Sequence, residues 1–138
     1  IVHGDYRLDN MILKNNEVVG ILDWELSTLG HPIADFSYHC LSWRTQEAFW
    51  DEAKLKELGI PSEREYMEMY CENSGKDLSK NWEFYMAFNM FKIAGILQGI
   101  LGRVRDGTAA SKHAEERGNM VFPLSEAAWS TIEENFLK

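Results

Sequence analysis

The hydrophobic pattern of this chain has two regimes, with the change near residue 32. Before it lie two short apolar runs, Met11-Ile12-Leu13-Lys14 and Glu17 to Trp24, on either side of Asn15-Asn16. Short runs rich in Val and Ile around an Asn-Asn pair predict a β-hairpin. Ile1 to Asn10 read as a loop. Leu29-Gly30-His31-Pro32 is a break, and Pro32 suits the first turn of a helix, where its missing N–H costs nothing.

Beyond Pro32 the pattern is almost entirely helical. It predicts helices over Ile33 to Trp43 and over Gln46 to Leu58, the second ended by Gly59 and Ile60-Pro61. Ser62-Glu63-Arg64-Glu65 has the form of a capping box and opens a third helix to about Asn73, closed by Ser74-Gly75. Ser79 or Asn81 opens the longest helix, which runs through Leu101. Its apolar residues go nearly all the way round, which predicts a central, buried helix. Gly95, Gly99 and Gly102 sit at spacings of four and three and predict close approach by another element, against a propensity cost of about 1 kcal/mol each. Thr108 to Met120 and Pro123 to Phe136 complete the set. No repeat, low-complexity tract or linker interrupts the chain. The expectation is one domain over residues 1–138, mainly α with a small β-hairpin.

Length and composition fit that picture: 138 residues, 45% of them hydrophobic, are enough for one core. The formal net charge of −8 argues against non-specific nucleic-acid binding, which needs basic surface to displace counterions. No basic amphipathic helix offers itself to a membrane surface, and no apolar run approaches the roughly 18–20 residues of a membrane span. Cys40 and Cys71 lie far apart without a metal-ligand pattern and read as free thiols in a reducing compartment, so the expected location is the cytoplasm. The chain opens on Ile1 and almost at once on His3, so it reads as a piece of a longer protein.

The chemistry is concentrated at that opening. His3-Gly4-Asp5-Tyr6-Arg7-Leu8-Asp9-Asn10 is followed by the hairpin and then by Ile21-Leu22-Asp23-Trp24-Glu25. A hairpin between Asn10 and Asp23 would bring its two ends side by side. Asp5 is then a candidate general base, orienting and deprotonating an attacking hydroxyl. Asn10 and Asp23 are hard oxygen donors suited to Mg²⁺ on the phosphates of ATP. Asp23 follows the apolar Gly20-Ile21-Leu22, and a carboxylate at the end of a buried strand needs a partner. Arg7 either reaches the transferring phosphate or pairs on the surface with Asp9 or Glu25. His3 is expected to fix the loop by hydrogen bonds, and Asp35 to accept backbone N–H bonds from it. Glu25 stays open between a supporting and a surface role. Lys92 and Gln98 interrupt the long helix, either lining a cleft or hydrogen-bonding internally. Trp43, Trp82 and Tyr85 read as core, with stacking on a substrate as the alternative. His31, His39 and His113 have no zinc spacing.

At these residues the chain resembles the aminoglycoside phosphotransferase and choline kinase superfamily, which shares the protein-kinase fold. His3-Gly4-Asp5 with Asn10 matches that family's catalytic loop. Ile21-Leu22-Asp23-Trp24-Glu25 matches its counterpart of the protein-kinase Asp-Phe-Gly element. The resemblance implies that Asp5 is catalytic, that Asn10 and Asp23 bind Mg²⁺, that Arg7 stands where protein kinases carry a catalytic-loop lysine, and that Asp35 supports the loop. Leu22 to Pro32 with Ala34-Asp35, and Phe91 to Gly99, further resemble kinase-like domains fused to, or encoded near, acyl-CoA dehydrogenases. That subgroup implies a hydroxyacyl-CoA acceptor and a dehydrogenase domain or neighbour as partner. An aminoglycoside, choline or sugar acceptor is the alternative, and a non-catalytic, pseudokinase-like binding domain is the rival class. The family's N-terminal, ATP-binding lobe has no counterpart here. The chain therefore reads as the C-terminal lobe alone, expected to bind ATP poorly and to be inactive by itself.

Overall fold

The computed structural model describes residues 1–45, 52–78 and 80–138. The element order is β1 (Met11–Lys14), β2 (Glu17–Ile21), α1 (Ile33–Cys40), α2 (Ser42–Thr45), α3 (Glu52–Glu57), α4 (Glu63–Ser74), α5 (Trp82–Arg105), α6 (Ala114–Asn119) and α7 (Val121–Phe136). The start of the helix expected from Gln46, and Ser79 as a helix opener, lie outside the described residues. The sequence pattern marks no boundary, whereas the chain divides into two compact units, Ile1–Trp82 and Glu83–Lys138.

In the first unit β1 and β2 form an antiparallel pair, with Lys14 opposite Glu17 and Met11 opposite Ile21. Asn15 (φ 52°) and Asn16 (φ 63°) both take positive φ. A two-residue hairpin turn whose twist matches the strands requires this, and Asn tolerates it better than most residues. The register shifts between Ile12 and Leu13. The Gly20-Ile21-Leu22 stretch before Asp23 was expected to be buried, but Gly20 and Ile21 are only half-buried, and Ile12, Leu13, Val18, Val19 and Leu22 are exposed. Two strands alone cannot cover both of their faces.

The core of this unit is aromatic. Phe36 of α1 stacks on Tyr70 of α4, with ring centroids 3.9 Å apart, and lies 5.2 Å from Tyr66 and 5.6 Å from Trp82. Glu63 is the polar centre beside it. Its carboxylate accepts from Arg44 Nε at 3.0 Å, from an Arg44 terminal nitrogen at 2.8 Å and from Trp82 Nε1 at 2.9 Å. Trp43 donates to the Pro61 carbonyl at 3.1 Å. Trp43 and Trp82 are thus structural. The capping box at Ser62 is present in both directions, and Gly75 (φ 66°) closes α4 in the left-handed conformation. Cys40 is buried and Cys71 half-buried, both as free thiols; burial pushes the Cys40 thiol pKa up.

In the second unit α5 departs from expectation. The buried residues Met86, Met90 and Ala94 recur every four positions, whereas Phe84, Phe88, Phe91 and Ile96 are exposed. A helix that is apolar all round has no preferred face, so its sequence does not decide which stripe is covered. A Cβ at Gly95 or Gly102 would meet nothing within 4 Å among the described residues. The close approach is made at Gly118 of α6, where a Cβ would stand 2.5 Å from Leu101 Cδ2. The expected Thr108 helix begins only at Ala114, and α7 begins two residues before Pro123. Pro123 is tolerated there because first-turn N–H groups have no intrahelical partner. By length and composition alone α5 could cross a membrane, contrary to the expectation that no run approaches that length. Asn89, Lys92 and Gln98 hide this in a run count but not in an average.

Candidate active site

The site is built entirely within the first unit. Its loop is tied to the rest by a two-way bridge, Val2 N to Thr28 O at 2.9 Å and Thr28 N to Val2 O at 3.1 Å. Gly4 takes φ 85°, and a Cβ there would sit 2.5 Å from the Leu26 carbonyl oxygen. Only glycine fits both constraints.

Asp35 holds the same loop from α1. Its carboxylate accepts the His3 backbone N–H at 2.5 Å and the Gly4 backbone N–H at 2.8 Å. His3 is buried, only 2% exposed. Its Nε2 bonds the Leu22 carbonyl at 2.8 Å, and its Nδ1 accepts the Asp5 backbone N–H at 3.2 Å. A ring that accepts at Nδ1 must donate from Nε2, so these two bonds select the Nε2–H tautomer. The His3 ring therefore spans from the loop to the end of β2.

Asn10 is the joint between Asp5 and the hairpin. Its Nδ2 donates to both the Asp5 carbonyl oxygen and Asp5 Oδ2, each at 2.9 Å. Both partners are acceptors, so the amide nitrogen must face Asp5 and Oδ1 must face away. The Asn10 carbonyl accepts the Leu22 N–H at 2.8 Å, which extends the ladder one step past Met11 and Ile21. Asp23 follows at once, with backbone φ 65°, ψ 56°. A non-glycine residue in the left-handed region is strained, and such strain gathers at functional sites. The Asp23 side chain is exposed rather than buried, as is Leu22 before it.

The donor chemistry fits Mg²⁺: the Asn10 amide oxygen and the Asp23 carboxylate are both hard oxygens. No group of three or more His, Cys, Asp or Glu among the described residues could hold a metal. Two protein oxygens suit an ion that keeps water and phosphate in its other positions. Arg7 pairs with Asp9 at 2.8 Å, both side chains largely exposed. Glu25 belongs to a 3-10 turn after Asp23 and is exposed.

Tyr38 escaped the sequence reading. Its phenol pKa is pushed up to about 12, first by burial and then by the Asp5 carboxylate. The usable signal was its spacing, three residues after Asp35 and so on the same helical face. Tyr6 lies against the His3 and His39 rings, with centroids 6.2 Å and 5.6 Å away.

A family model described as "Phosphotransferase enzyme family" matches residues 1–70, which contain every candidate site residue. The chain belongs to the phosphotransferase enzyme family. Its helices and single hairpin are the helical lobe of that kinase-like fold. Among curated proteins it is 44% identical to acyl-CoA dehydrogenase family member 10 of Mus musculus, over 94% of this chain and 13% of that protein. It is 36% identical to acyl-CoA dehydrogenase family member 11 of Homo sapiens, over 99% of this chain and 18% of that protein. The probable acyl-CoA dehydrogenase IBR3 of Arabidopsis thaliana is 38% identical, over 96% of this chain and 17% of that protein. The chain thus spans less than a fifth of the length of these relatives. No solved structure matches it.

Proposed function

We propose that this chain is the catalytic lobe of an ATP- and Mg²⁺-dependent kinase that phosphorylates a hydroxyl group of a small molecule. The observation that carries this reading is the pair of hydrogen bonds from Asn10 Nδ2 to Asp5, which joins the proposed base to the end of the hairpin where Asp23 follows. In this reading Asp5 accepts a hydrogen bond from the acceptor hydroxyl and takes its proton as the new P–O bond to the γ-phosphorus of ATP forms and the bond to the bridging oxygen breaks, releasing ADP. Asn10 Oδ1 and the Asp23 carboxylate hold the metal, which when bound offsets charge on the phosphates. Arg7 supplies positive charge near the transferring group. His3 and Asp35 keep the loop in place by hydrogen bonds.

A hydroxyacyl-CoA is the proposed acceptor. The support is that relatives covering nearly all of this chain are named as acyl-CoA dehydrogenase family members. A dehydrogenase domain in the same polypeptide, or a dehydrogenase neighbour, is the proposed partner. The proposed location is the cytoplasm, in keeping with two free thiols. The test is ADP release by the full-length protein with Mg²⁺ and hydroxyacyl-CoAs, an aminoglycoside, choline and simple sugars, beside Asp5→Asn. Release that depends on a hydroxyacyl-CoA and is lost in Asp5→Asn is the expected result. Release with another acceptor overturns the substrate, and equal release by both proteins overturns Asp5 as base.

A further inference from the structure

We propose that a cleft of about 380 Å³ between α1 and α4, bordered by the loop that carries Asp5, holds the hydrocarbon chain of the acceptor. The inference rests on the reading of the acceptor as a hydroxyacyl-CoA and deepens it by placing the acyl part. Two lining residues belong to the loop or hold it: Tyr6, which directly follows Asp5, and Asp35, which binds His3 and Gly4. Phe36 lines the cleft from α1, and Tyr66, Met69, Tyr70 and Asn73 line it from α4. All of it lies within the first unit.

The walls are chiefly ring faces. Tyr6 lies 5.6 Å from His39, His39 lies 5.7 Å from Tyr66, Tyr66 lies 5.2 Å from Phe36, and Phe36 stacks on Tyr70 at 3.9 Å. An aromatic surface thus continues from the loop to α4. This size, with mostly apolar walls and few polar groups, is that of a small-molecule site. Charge then selects the occupant. No Lys or Arg lines the cleft among the described residues, so nothing there balances the phosphates of a coenzyme. The one carboxylate, Asp35, has both oxygens engaged by the His3 and Gly4 backbone N–H groups. It is therefore a poor partner for the amines of an aminoglycoside. Asn73 Nδ2 is turned back to the Met69 carbonyl at 2.7 Å. Ring faces, phenol hydroxyls and the Met69 thioether remain, and a thioether adapts readily to an alkyl chain. The anionic coenzyme end then stays outside.

Two measurements on the full-length protein test this. The first locates the chain without turnover, using a saturated fatty acyl-CoA with a photoreactive diazirine at the chain end, cross-linked and mapped by mass spectrometry. Labels on α4 or Tyr6 are expected, displaced by unlabelled acyl-CoA and not by choline or an aminoglycoside. Labels found only elsewhere overturn the proposal. So does displacement by choline, since ring faces also attract ammonium groups. The second is KM in ADP release for hydroxyacyl-CoAs of increasing chain length, in wild type and Met69→Glu, with melting temperature as the control for folding. KM should fall about 3-fold per added methylene until the cleft is full. Met69 is 49% exposed, so its replacement should leave Tm unchanged. A carboxylate in an apolar cleft should raise KM for the longest acceptor about 10-fold more than for the shortest. A KM indifferent to chain length, or raised equally for every acceptor, overturns the proposal. If no acceptor supports ADP release, the kinase reading fails alone, and the cross-link still decides whether an acyl chain occupies the cleft.

Discussion

The two carboxylates at the heart of the site live in opposite circumstances. Asp5 sits in a loop pinned through its neighbours by Asp35, His3 and Asn10, and its own carboxylate receives Asn10 Nδ2 at 2.9 Å. Asp23 stands exposed just past the open end of the hairpin, in a strained left-handed backbone, and the described residues give its side chain no hydrogen bond or ion pair. The contrast matches the two tasks proposed for them, base and metal ligand. A base must hold one oxygen within hydrogen-bond reach of a proton, and small misplacements cost large factors in rate. A metal ligand needs a fixed point of attachment and an accessible oxygen, since most of the ion's partners come from elsewhere. The strained φ of Asp23 supplies the fixed point without burying the charge.

Replacing the two carboxylates separately gives the largest expected effects. Asp5→Asn should lower kcat by about a thousand-fold, the scale of losing general-base assistance, with ATP affinity little changed. Asp23→Asn should cost on the order of a hundred-fold, part of it recovered by raising Mg²⁺, and should leave the melting temperature unchanged because the side chain is exposed. A Mg²⁺ requirement that shifts with Asp5→Asn and not with Asp23→Asn would reverse the assignments.

The support around Asp5 should show up in stability as well as rate. Asp35→Ala leaves the His3 and Gly4 N–H groups without their charged acceptor, a loss of about 2–3 kcal/mol in unfolding free energy together with activity. Denaturant unfolding checks it, and wild-type stability would mean that the loop stands without α1. Gly4→Ala should be comparably harmful, since it combines an unfavourable φ with a Cβ 2.5 Å from the Leu26 carbonyl.

The smallest effect concerns His39, whose ring lies beneath Tyr6 of the same loop. Burial holds its pKa below the usual 6.5. As pH falls below 6.5 the unfolded chain takes up the proton first, so stability is full above that value and declines toward the folded-state pKa. The decline should be small, because the ring is partly exposed to solvent. Unfolding of His39→Gln followed from pH 7.5 to 5 should show a flatter profile. An identical slope would assign the acid sensitivity elsewhere.

Much of the fold is written locally. The Asn15-Asn16 turn, the Ser62–Glu65 capping box and the Gly75 stop depend on neighbours in sequence, and each appears where short-range chemistry puts it. The candidate site was legible for the same reason: Asp5, Asn10 and Asp23 are separated only by a few loop residues and one hairpin, so the strand register alone brings Asn10 opposite Leu22 and next to Asp23. What stayed hidden needed contact across the fold. The outlook of α5 depends on which neighbours arrive, and its all-round apolar sequence is compatible with any face. Gly118, not Gly95 or Gly102, takes the close approach because only the meeting with Leu101 selects it. Tyr38 looks like any helical tyrosine until α1 lies under the loop. The chain by itself determined the chemistry available, the hairpin turn and both ends of α4, because these are set within a few residues. Only the tertiary structure decided which apolar surfaces are covered and how α1 holds the loop through Asp35, because burial and hydrogen bonding between distant residues are properties of the packed molecule.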